Sequence, residues 1–219
     1  EAAKEAGSRE AYLIHEPLAA AIGSGLPVGT PAGNMVLDIG GGATESAIVA
    51  LNGIVIAHSA RVGGMTLDHA IVTYVRKKYG IVIGEMTAEE IKIRIGSAVS
   101  LDEVLAVEIQ GRDHVTGLPR DAIITSEDVF EAIEEPLESI ISVAKAVLEK
   151  TPPELASDAI DRGIVLCGGG SFLRGIEQRV SESVGVPAYI TDNPIGCVSV
   201  GASRALEMYE IMKPHLPRV

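Results

Sequence analysis

Two segments of the chain share one local pattern, an apolar stretch followed at once by three consecutive glycines. They are residues 35–42 (MVLDIGGG) and residues 164–170 (IVLCGGG). Short runs of Val, Ile and Leu predict buried strands. Three glycines permit a sharp turn whose backbone N–H groups approach a ligand closely, because no β-carbon stands in the way. Neither segment has the Gly-x-Gly-x-x-Gly spacing of a Rossmann fold. The pattern favours an α/β protein with two turns able to hold phosphate.

The first glycine turn also brings a carboxylate to the end of its strand. Asp38 precedes Gly40, Gly41 and Gly42, and a second strand follows from Glu45. A carboxylate at this position is well placed to hold Mg²⁺ through the water molecules of the ion. The alternative is a tight glycine-rich hairpin with an exposed Asp38.

The second glycine turn leads into a predicted helix instead of a strand. Gly168, Gly169 and Gly170 follow the strand and precede the predicted helix over residues 172–184. Backbone amides at a helix start suit the phosphate side of a nucleotide, and a flat glycine surface can receive an adenine ring. A plain close-packed turn is the alternative for this segment alone.

Composition limits the classes of ligand and site. The 219 residues carry a formal net charge of −12, which argues against a nucleic-acid partner because such a surface repels phosphates. Any anionic ligand must therefore be held by local backbone amides and helix ends. The two cysteines, Cys167 and Cys197, have no metal-ligand spacing and suggest neither a disulfide framework nor a zinc site. No apolar run reaches the roughly 18 residues of a membrane span.

Periodicity and turn residues predict alternating strands and helices, which is typical of an α/β fold. Asn52-Gly53 predicts a type I′ hairpin, Thr87 and Glu90 predict a capping box, and Pro136 should kink or divide a long helix. The predicted strands are residues 11–14, 35–39, 45–51, 54–62, 104–112, 122–125, 164–167 and 188–190, and the predicted helices are residues 1–6, 16–24, 67–78, 87–97, 126–150, 172–184 and 198–212.

Several longer motifs occur in a fixed order along the chain. They are residues 12–23 (YLIHEPLAAAIG), 38–45 (DIGGGATE), 61–64 (RVGG), 152–157 (PPELAS) and 167–170 (CGGG). Together they resemble the MreB family, the bacterial actin homologues that organise cell-wall synthesis in rod-shaped cells. The resemblance covers essentially the whole chain.

The resemblance implies an actin-like (ribonuclease H-like) ATPase fold, mostly its second lobe. Residues 1–34 would be the end of the first lobe and residues 193–219 the return to it. Residues 35–62 and 129–192 would form the inner domain of the second lobe, and residues 63–128 its small outer domain.

The resemblance also implies a role for individual residues. Glu16 matches the position that orients the water attacking the γ-phosphate, and Asp38 matches the acid associated with Mg²⁺. Glu89 and Lys92 match contacts to ribose and adenine. The phosphate-binding positions would be Gly40, Gly41, Gly42 and Thr44. The positions on the adenine side would be Gly168, Gly169, Gly170 and Phe172.

Simpler interpretations of two of these assignments stay open. Glu16 can merely complement the dipole of the helix that begins there. Glu89 and Lys92, three residues apart on one helix, can form an ordinary solvated ion pair. The chain also departs from the family pattern at His15, Ala43 and Met65, which bears on the rate of hydrolysis but not on the fold.

The expected whole protein binds ATP and Mg²⁺, forms filaments with itself and hydrolyses ATP slowly as an assembly clock. Its partners would be the cell-wall synthesis machinery and the inner membrane surface. It would be a cytoplasmic protein, peripheral to the inner membrane. The chain opens at Glu1 and lacks the Asp-x-Gly-Thr phosphate loop of the family, so we expect a fragment that is not a competent ATPase alone. A small-molecule phosphotransferase and a chaperone-type ATPase of the same superfamily are the alternatives.

Overall fold

The computed structural model describes residues 2–216 and has two β-sheets with helices packed around them. The strands are β1 (Asn34–Ile39), β2 (Thr44–Ala50), β3 (Gly53–Ala60), β4 (Ile81–Val82), β5 (Ala106–Asp113), β6 (Pro119–Thr125), β7 (Ile164–Cys167) and β8 (Ala188–Ile190). The helices are α1 (Ala2–Glu5), α2 (Glu16–Gly23), α3 (Gly64–Tyr79), α4 (Glu85–Ile95), α5 (Ser126–Lys150), α6 (Pro153–Arg162), α7 (Ile176–Val184), α8 (Cys197–Glu207) and α9 (Tyr209–Met212).

The larger sheet has the strand order β3-β2-β1-β7-β8. The first three strands form an antiparallel meander, whereas β1, β7 and β8 run parallel. Side chains alternate between the two faces, as they do in any strand. Leu37 and Ile39 of β1 enter one core with α3, α5 and α7, and Val36 enters a second core with α2 and α8. The sheet is therefore covered by helices on both faces, as the predicted α/β class requires.

Helices α2 and α8 cross on the second face at unusually close range. A β-carbon on Gly23 would lie 1.7 Å from the Cys197 carbonyl oxygen, and one on Gly201 would lie 1.8 Å from the Ala19 carbonyl oxygen. Only glycine permits this backbone-to-backbone contact. The crossing holds α2 so that Glu16, its first residue, lies at the end of the sheet where the Gly40–Gly42 turn lies.

The smaller sheet is antiparallel, in the order β4-β5-β6, and is joined to the rest through α3, α4 and α5. The buried carboxylate of Asp128 ties α3 to the start of α5. It accepts hydrogen bonds from Lys78 at 2.6 Å, Tyr79 at 2.7 Å and the Thr125 N–H at 2.8 Å. Burial alone would raise the pKa of Asp128, but these donors bring it to about 2.

Most predicted elements are confirmed within a few residues, and β7 and β8 have the predicted bounds. The predicted strand over residues 11–14 is wrong. This segment is extended but irregular, and among residues 2–216 no strand runs beside it to accept its backbone hydrogen bonds. Residue 1 of the first predicted helix lies outside the described residues, and α1 covers Ala2–Glu5.

Three predicted local signals differ from the structure. The hairpin turn is centred on Leu51 and Asn52, whose φ angles are 49° and 62°, and Gly53 already belongs to β3. Helix α4 starts at Glu85, so Thr87 lies inside the helix and makes no capping box. Helix α5 runs through Pro136 undivided, with buried residues along its whole length, so the division does not occur and a kink at Pro136 stays a prediction.

The region after β7 also differs from expectation. The chain first forms a 3₁₀ turn, Gly169–Phe172, and α7 starts only at Ile176. Helix α6, with Pro153 at its first position, was not predicted. Over residues 2–216, no helix is both long enough and apolar enough to cross a bilayer.

Candidate functional site

The two glycine turns lie side by side because β1 and β7 are adjacent and parallel. Asp38 pairs with Cys167 in their register, so both strands end at the same edge of the sheet. A β-carbon on Gly168 would lie 2.4 Å from the Ile39 carbonyl oxygen, and one on Gly170 would lie 2.3 Å from the Ile39 side chain. The second turn is therefore packed onto the first, at the carboxyl edge where α/β sheets bind ligands.

Both turns present backbone donors that the protein itself does not use. Within the part of the chain that the structure describes, the N–H groups of Gly41, Gly42, Gly169 and Gly170 have no hydrogen-bond acceptor. Unpaired N–H groups in consecutive residues form concave sites for anions. This arrangement suits a phosphate chain lying between the two turns.

The start of α3 holds the first turn in place through backbone hydrogen bonds. The N–H of Gly64 donates to the Gly40 carbonyl at 3.0 Å, and the N–H of Met65 donates to the Gly41 carbonyl at 2.9 Å. A β-carbon on Gly63 would lie 2.5 Å from the Gly40 oxygen. The Gly63-Gly64 pair therefore lets a helix begin directly against the turn, and its first N–H groups occupy the carbonyls of Gly40 and Gly41.

A cavity of about 530 Å³ extends from the first turn towards α4 and the second turn. This volume falls within the range of small-molecule sites. Apolar side chains with exposed surface stand at its wall, with Phe172 60% exposed and Met65 63% exposed. Its other lining residues are Gly40, Gly41, Gly64, Leu67, Asp68, Glu89, Lys92, Ile93, Gly96, Gly169, Gly170, Leu173, Arg174 and Ile195.

A second cavity, of about 220 Å³, lies on the α2 side of the first turn and shares Gly40 and Gly41 with the larger one. Three carboxylates line it, those of Glu16, Asp38 and Glu45. The two cavities thus meet at the glycine turn. The larger cavity is largely apolar, and the smaller one is acidic.

Asp38 is buried at 4% exposure, and its Oδ2 atom has no hydrogen-bond partner among residues 2–216. Its pKa is raised to about 6, first by burial and then by the negative charges of Glu16 and Glu45, while a hydrogen bond with Cys167 acts in the opposite direction. The alternative of an exposed turn aspartate is therefore wrong. A buried carboxylate with a free oxygen is a suitable neighbour for a cation.

The described residues do not form a metal site by themselves. No group of three or more His, Cys, Asp or Glu side chains within residues 2–216 is arranged to hold a metal ion. Mg²⁺ keeps several water molecules and is commonly bound by one or two carboxylates together with phosphates. Asp38 fits this kind of site, in which most ligands are not protein atoms.

Glu16 is the exposed first residue of α2, and Pro17 occupies the favoured position after it. Its carboxylate lines the acidic cavity together with Asp38. Placement in a cavity beside the glycine turn goes beyond what a helix-dipole role alone requires.

Thr44 lies outside both cavities. It is fully buried, and its hydroxyl donates to the Val62 carbonyl at 2.7 Å. This bond ties the start of β2 to the segment before α3. The geometry argues against the predicted contact of Thr44 with phosphate and gives it a structural role.

Glu89 and Lys92 both line the larger cavity, but they are not paired with each other. Lys92 Nζ lies 2.8 Å from Asp68 Oδ1 and donates to the Gly64 carbonyl at 3.2 Å. The side chains of Lys92 and Asp68 are only 15% and 9% exposed, so this is a largely buried ion pair. The interpretation of Glu89 and Lys92 as an ordinary ion pair is therefore wrong.

Sequence reasoning missed several lining residues. Asp68 gave no signal, because it lies within α3 and its partner is on another helix. Ile93 was visible in principle as an apolar residue on a polar face of α4, where it is 70% exposed. Arg174 and Ile195 lie in loops, and only the fold brings them to the cavity.

The sequence matches a family model and curated relatives over nearly its whole length. The model described as "MreB/Mbl protein" matches residues 1–214. The chain is 49% identical over 211 residues to the cell shape-determining protein MreB of Escherichia coli K12, covering 96% of this chain and 61% of that protein. It therefore spans less than two thirds of the length of this relative.

The structure resembles solved structures of similar proteins. It matches MreB5 of Spiroplasma citri bound to AMPPNP with a TM-score of 0.90 and 36% identity, covering 95% of this chain and 62% of that one. It also matches a MamK double helical filament with a TM-score of 0.71 and 23% identity, covering 88% and 58% of the two chains. The second match bears on the fold alone, and both indicate the actin-like architecture that the motifs predicted.

Proposed function

The chain belongs to the MreB/Mbl family, and we propose that it forms most of the nucleotide cleft of an actin-like cytoskeletal protein that determines cell shape. The observation that carries this proposal is the junction of two cavities at Gly40 and Gly41, between two turns whose N–H groups find no acceptor among residues 2–216. A ligand with an apolar ring at one end and a phosphate chain at the other matches this arrangement.

ATP is the ligand that we propose. Its adenosine part would occupy the larger cavity, near Phe172, Glu89 and Lys92, and its terminal phosphates would reach the acidic one. The AMPPNP bound to the Spiroplasma citri relative supports a nucleotide of this class. The overall charge of −12 does not oppose binding, because the donors are local backbone amides.

Asp38 and Glu16 would have separate roles at the phosphate end. Asp38 would hold Mg²⁺ through water, and the ion would neutralise the negative charge of the phosphates. Glu16 would accept a hydrogen bond from the water that attacks the γ-phosphate and so orient it. Their positions in one acidic cavity, with Asp38 buried and Glu16 exposed, are consistent with this division.

The domain boundaries set out above remain our proposal. The chain spans 61% of Escherichia coli MreB, and we propose that a segment upstream of Glu1 supplies the facing wall of the cleft and the remaining phosphate loop. This chain alone would then bind nucleotide weakly and hydrolyse it poorly. The longer protein would be a slow ATPase.

We also propose that the longer protein assembles into filaments with itself in the cytoplasm, at the inner membrane surface, where it guides cell-wall synthesis. The name of the Escherichia coli relative, a cell shape-determining protein, supports the cellular role. The MamK double helical filament, a structure with the same fold, supports the proposed assembly.

Calorimetry with ATP and Mg²⁺ tests the site. We expect about millimolar or weaker affinity for this chain and about micromolar affinity for the longer protein. The longer protein would make several additional charge-assisted hydrogen bonds to the nucleotide, each contributing roughly 1.5–3 kcal/mol.

Electron microscopy of the longer protein with ATP should show filaments. Micromolar binding by this chain alone would contradict the proposal that an upstream segment supplies the facing wall of the cleft. Phosphoryl transfer to a small molecule, without filaments, would favour a phosphotransferase.

A further inference from the structure

Glu45 is a third carboxylate of the acidic cavity that the proposed function does not use. It pairs directly with Asp38 in the antiparallel register of β1 and β2, so the two side chains leave the sheet on the same face. That face is the one on which α2 packs, since Ala47 and Val49 of the same strand enter the core with α2. Glu45 therefore points to the side where Glu16 lies.

The placement of Glu45 costs stability in the absence of a ligand. Like charges directly opposite each other on a sheet are destabilising. Burial raises the pKa of Glu45, the charge of Glu16 raises it further, and His15 lowers it. Its neighbour on β3 is Ser59, which carries no charge. Among the described residues that line the cavity, no Lys or Arg balances the three carboxylates.

Glu16 and Glu45 approach the cavity from different elements. Glu16 comes from the first turn of α2, Glu45 comes from β2, and the glycine turn lines the same cavity. A water molecule has two hydrogens to donate, and one acceptor leaves it free to rotate about a single hydrogen bond. Two acceptors on different sides fix both hydrogens and leave an oxygen lone pair directed elsewhere.

We propose that Glu45 is a second water-orienting residue, which together with Glu16 holds the attacking water with its oxygen towards the terminal phosphate. This inference rests on the proposed function. In the reaction, the water oxygen forms a bond to the γ-phosphorus while the bond from that phosphorus to the bridging oxygen breaks. The electron pair leaves with ADP. One hydrogen of the water passes as a proton to the Glu16 carboxylate and from there to solvent, while Glu45 holds the other hydrogen.

Two variants of the longer protein separate acceptor, charge and shape. Glu45→Gln keeps the shape and one acceptor oxygen, and Glu45→Met keeps the length without an oxygen. We expect ATP hydrolysis to fall only several-fold in Glu45→Gln and by about 10²-fold in Glu45→Met, the scale for losing one positioned group. ATP affinity should stay within about threefold of wild type in both. Glu149→Gln, an exposed change on α5, is the matched control.

Stability measured without nucleotide distinguishes this role from a structural one. Both Glu45 variants should unfold at the same or a higher urea concentration than wild type, because the repulsion by Asp38 is removed. Reduced hydrolysis with a lower unfolding midpoint would mean that Glu45 supports the fold and would overturn the inference. Wild-type rates in Glu45→Met would also overturn it. If wild type itself neither binds nor hydrolyses ATP, the proposed function fails first.

Discussion

Gly168 passes so close to Asp38 that a β-carbon on Gly168 would lie 2.4 Å from the Asp38 Oδ1 atom. This added β-carbon would also lie 2.4 Å from the Ile39 carbonyl oxygen, and the φ angle of Gly168 is 78°. The second glycine turn therefore sets the position of the carboxylate that the first turn carries. Because the contact involves backbone on one side and a buried side chain on the other, neither partner can easily move away.

The first prediction uses this contact. Gly168→Ala should destabilise the protein by at least about 3 kcal/mol, from the positive φ and the displacement of Asp38 together. Gly117→Ala is the control, since Gly117 has a φ of 73° but, apart from its chain neighbours, no described residue comes within 4 Å of the added carbon. It should cost only about 1–2 kcal/mol. Urea unfolding measures both, and equal losses would show that the close contact with Asp38 is unimportant.

The second prediction concerns the pH dependence that Asp38 imposes. The pKa of Asp38 is about 6 in the folded chain, against an ordinary value of 3.8 for an aspartate. Between these values the folded state keeps a proton that the unfolded state loses. The free energy of unfolding therefore falls as pH rises from about 4 to 6, and above about pH 6 it stays at the lower level. Asp38→Asn should therefore stabilise the nucleotide-free chain at pH 7.5 by about 2–3 kcal/mol and have almost no effect at about pH 3, below both pKa values.

The same Asp38→Asn variant should behave oppositely towards the nucleotide with metal. In the longer protein it should weaken binding of ATP with Mg²⁺ while leaving metal-free ATP binding equal or better, because a negative charge near the phosphates is removed. Affinities measured with and without Mg²⁺ check this. Asp102→Asn, at an exposed position, is the control. Equal losses in both conditions would contradict the magnesium role.

The third prediction concerns the ion pair of Asp68 and Lys92. A double-mutant cycle with Asp68→Asn and Lys92→Met should give a coupling energy of about 1–3 kcal/mol, because the pair is largely buried. The exposed pair of Asp113 and Arg120, with side chains 19% and 52% exposed, should give less than about 1 kcal/mol. Coupling of the same size in both cycles would mean that burial does not strengthen the first pair.

The fourth prediction separates a catalytic Glu16 from a helix-dipole Glu16. In the longer protein, Glu16→Ala should reduce ATP hydrolysis by about 10²-fold or more and change nucleotide affinity little. Glu85 is likewise the exposed first residue of a helix, α4, but lines neither cavity. Glu85→Ala should leave hydrolysis unchanged. If hydrolysis survives in Glu16→Ala while binding is lost, Glu16 is a ligand-binding residue instead.

The local pattern of the sequence determined much of the fold. Strands β7 and β8 have the predicted bounds, since short apolar runs limited by glycine and proline leave little freedom. Both glycine turns also lie where the sequence placed them, and at Gly168 and Gly170 no other residue type allows the chain to pass so closely. The five motifs, taken together in their order along the chain, were sufficient to identify the family.

Tertiary structure decided what depends on neighbours distant in sequence. The hydroxyl of Thr44 is taken by Val62, Lys92 is paired with Asp68 instead of being free to pair with Glu89, and Asp38 is buried. A propensity or a spacing describes one element at a time, whereas the partner of a polar group and its burial depend on which elements the fold packs together. For the same reason, the apolar residues 11–14 form no strand in the described chain: an extended segment becomes a strand only beside a partner.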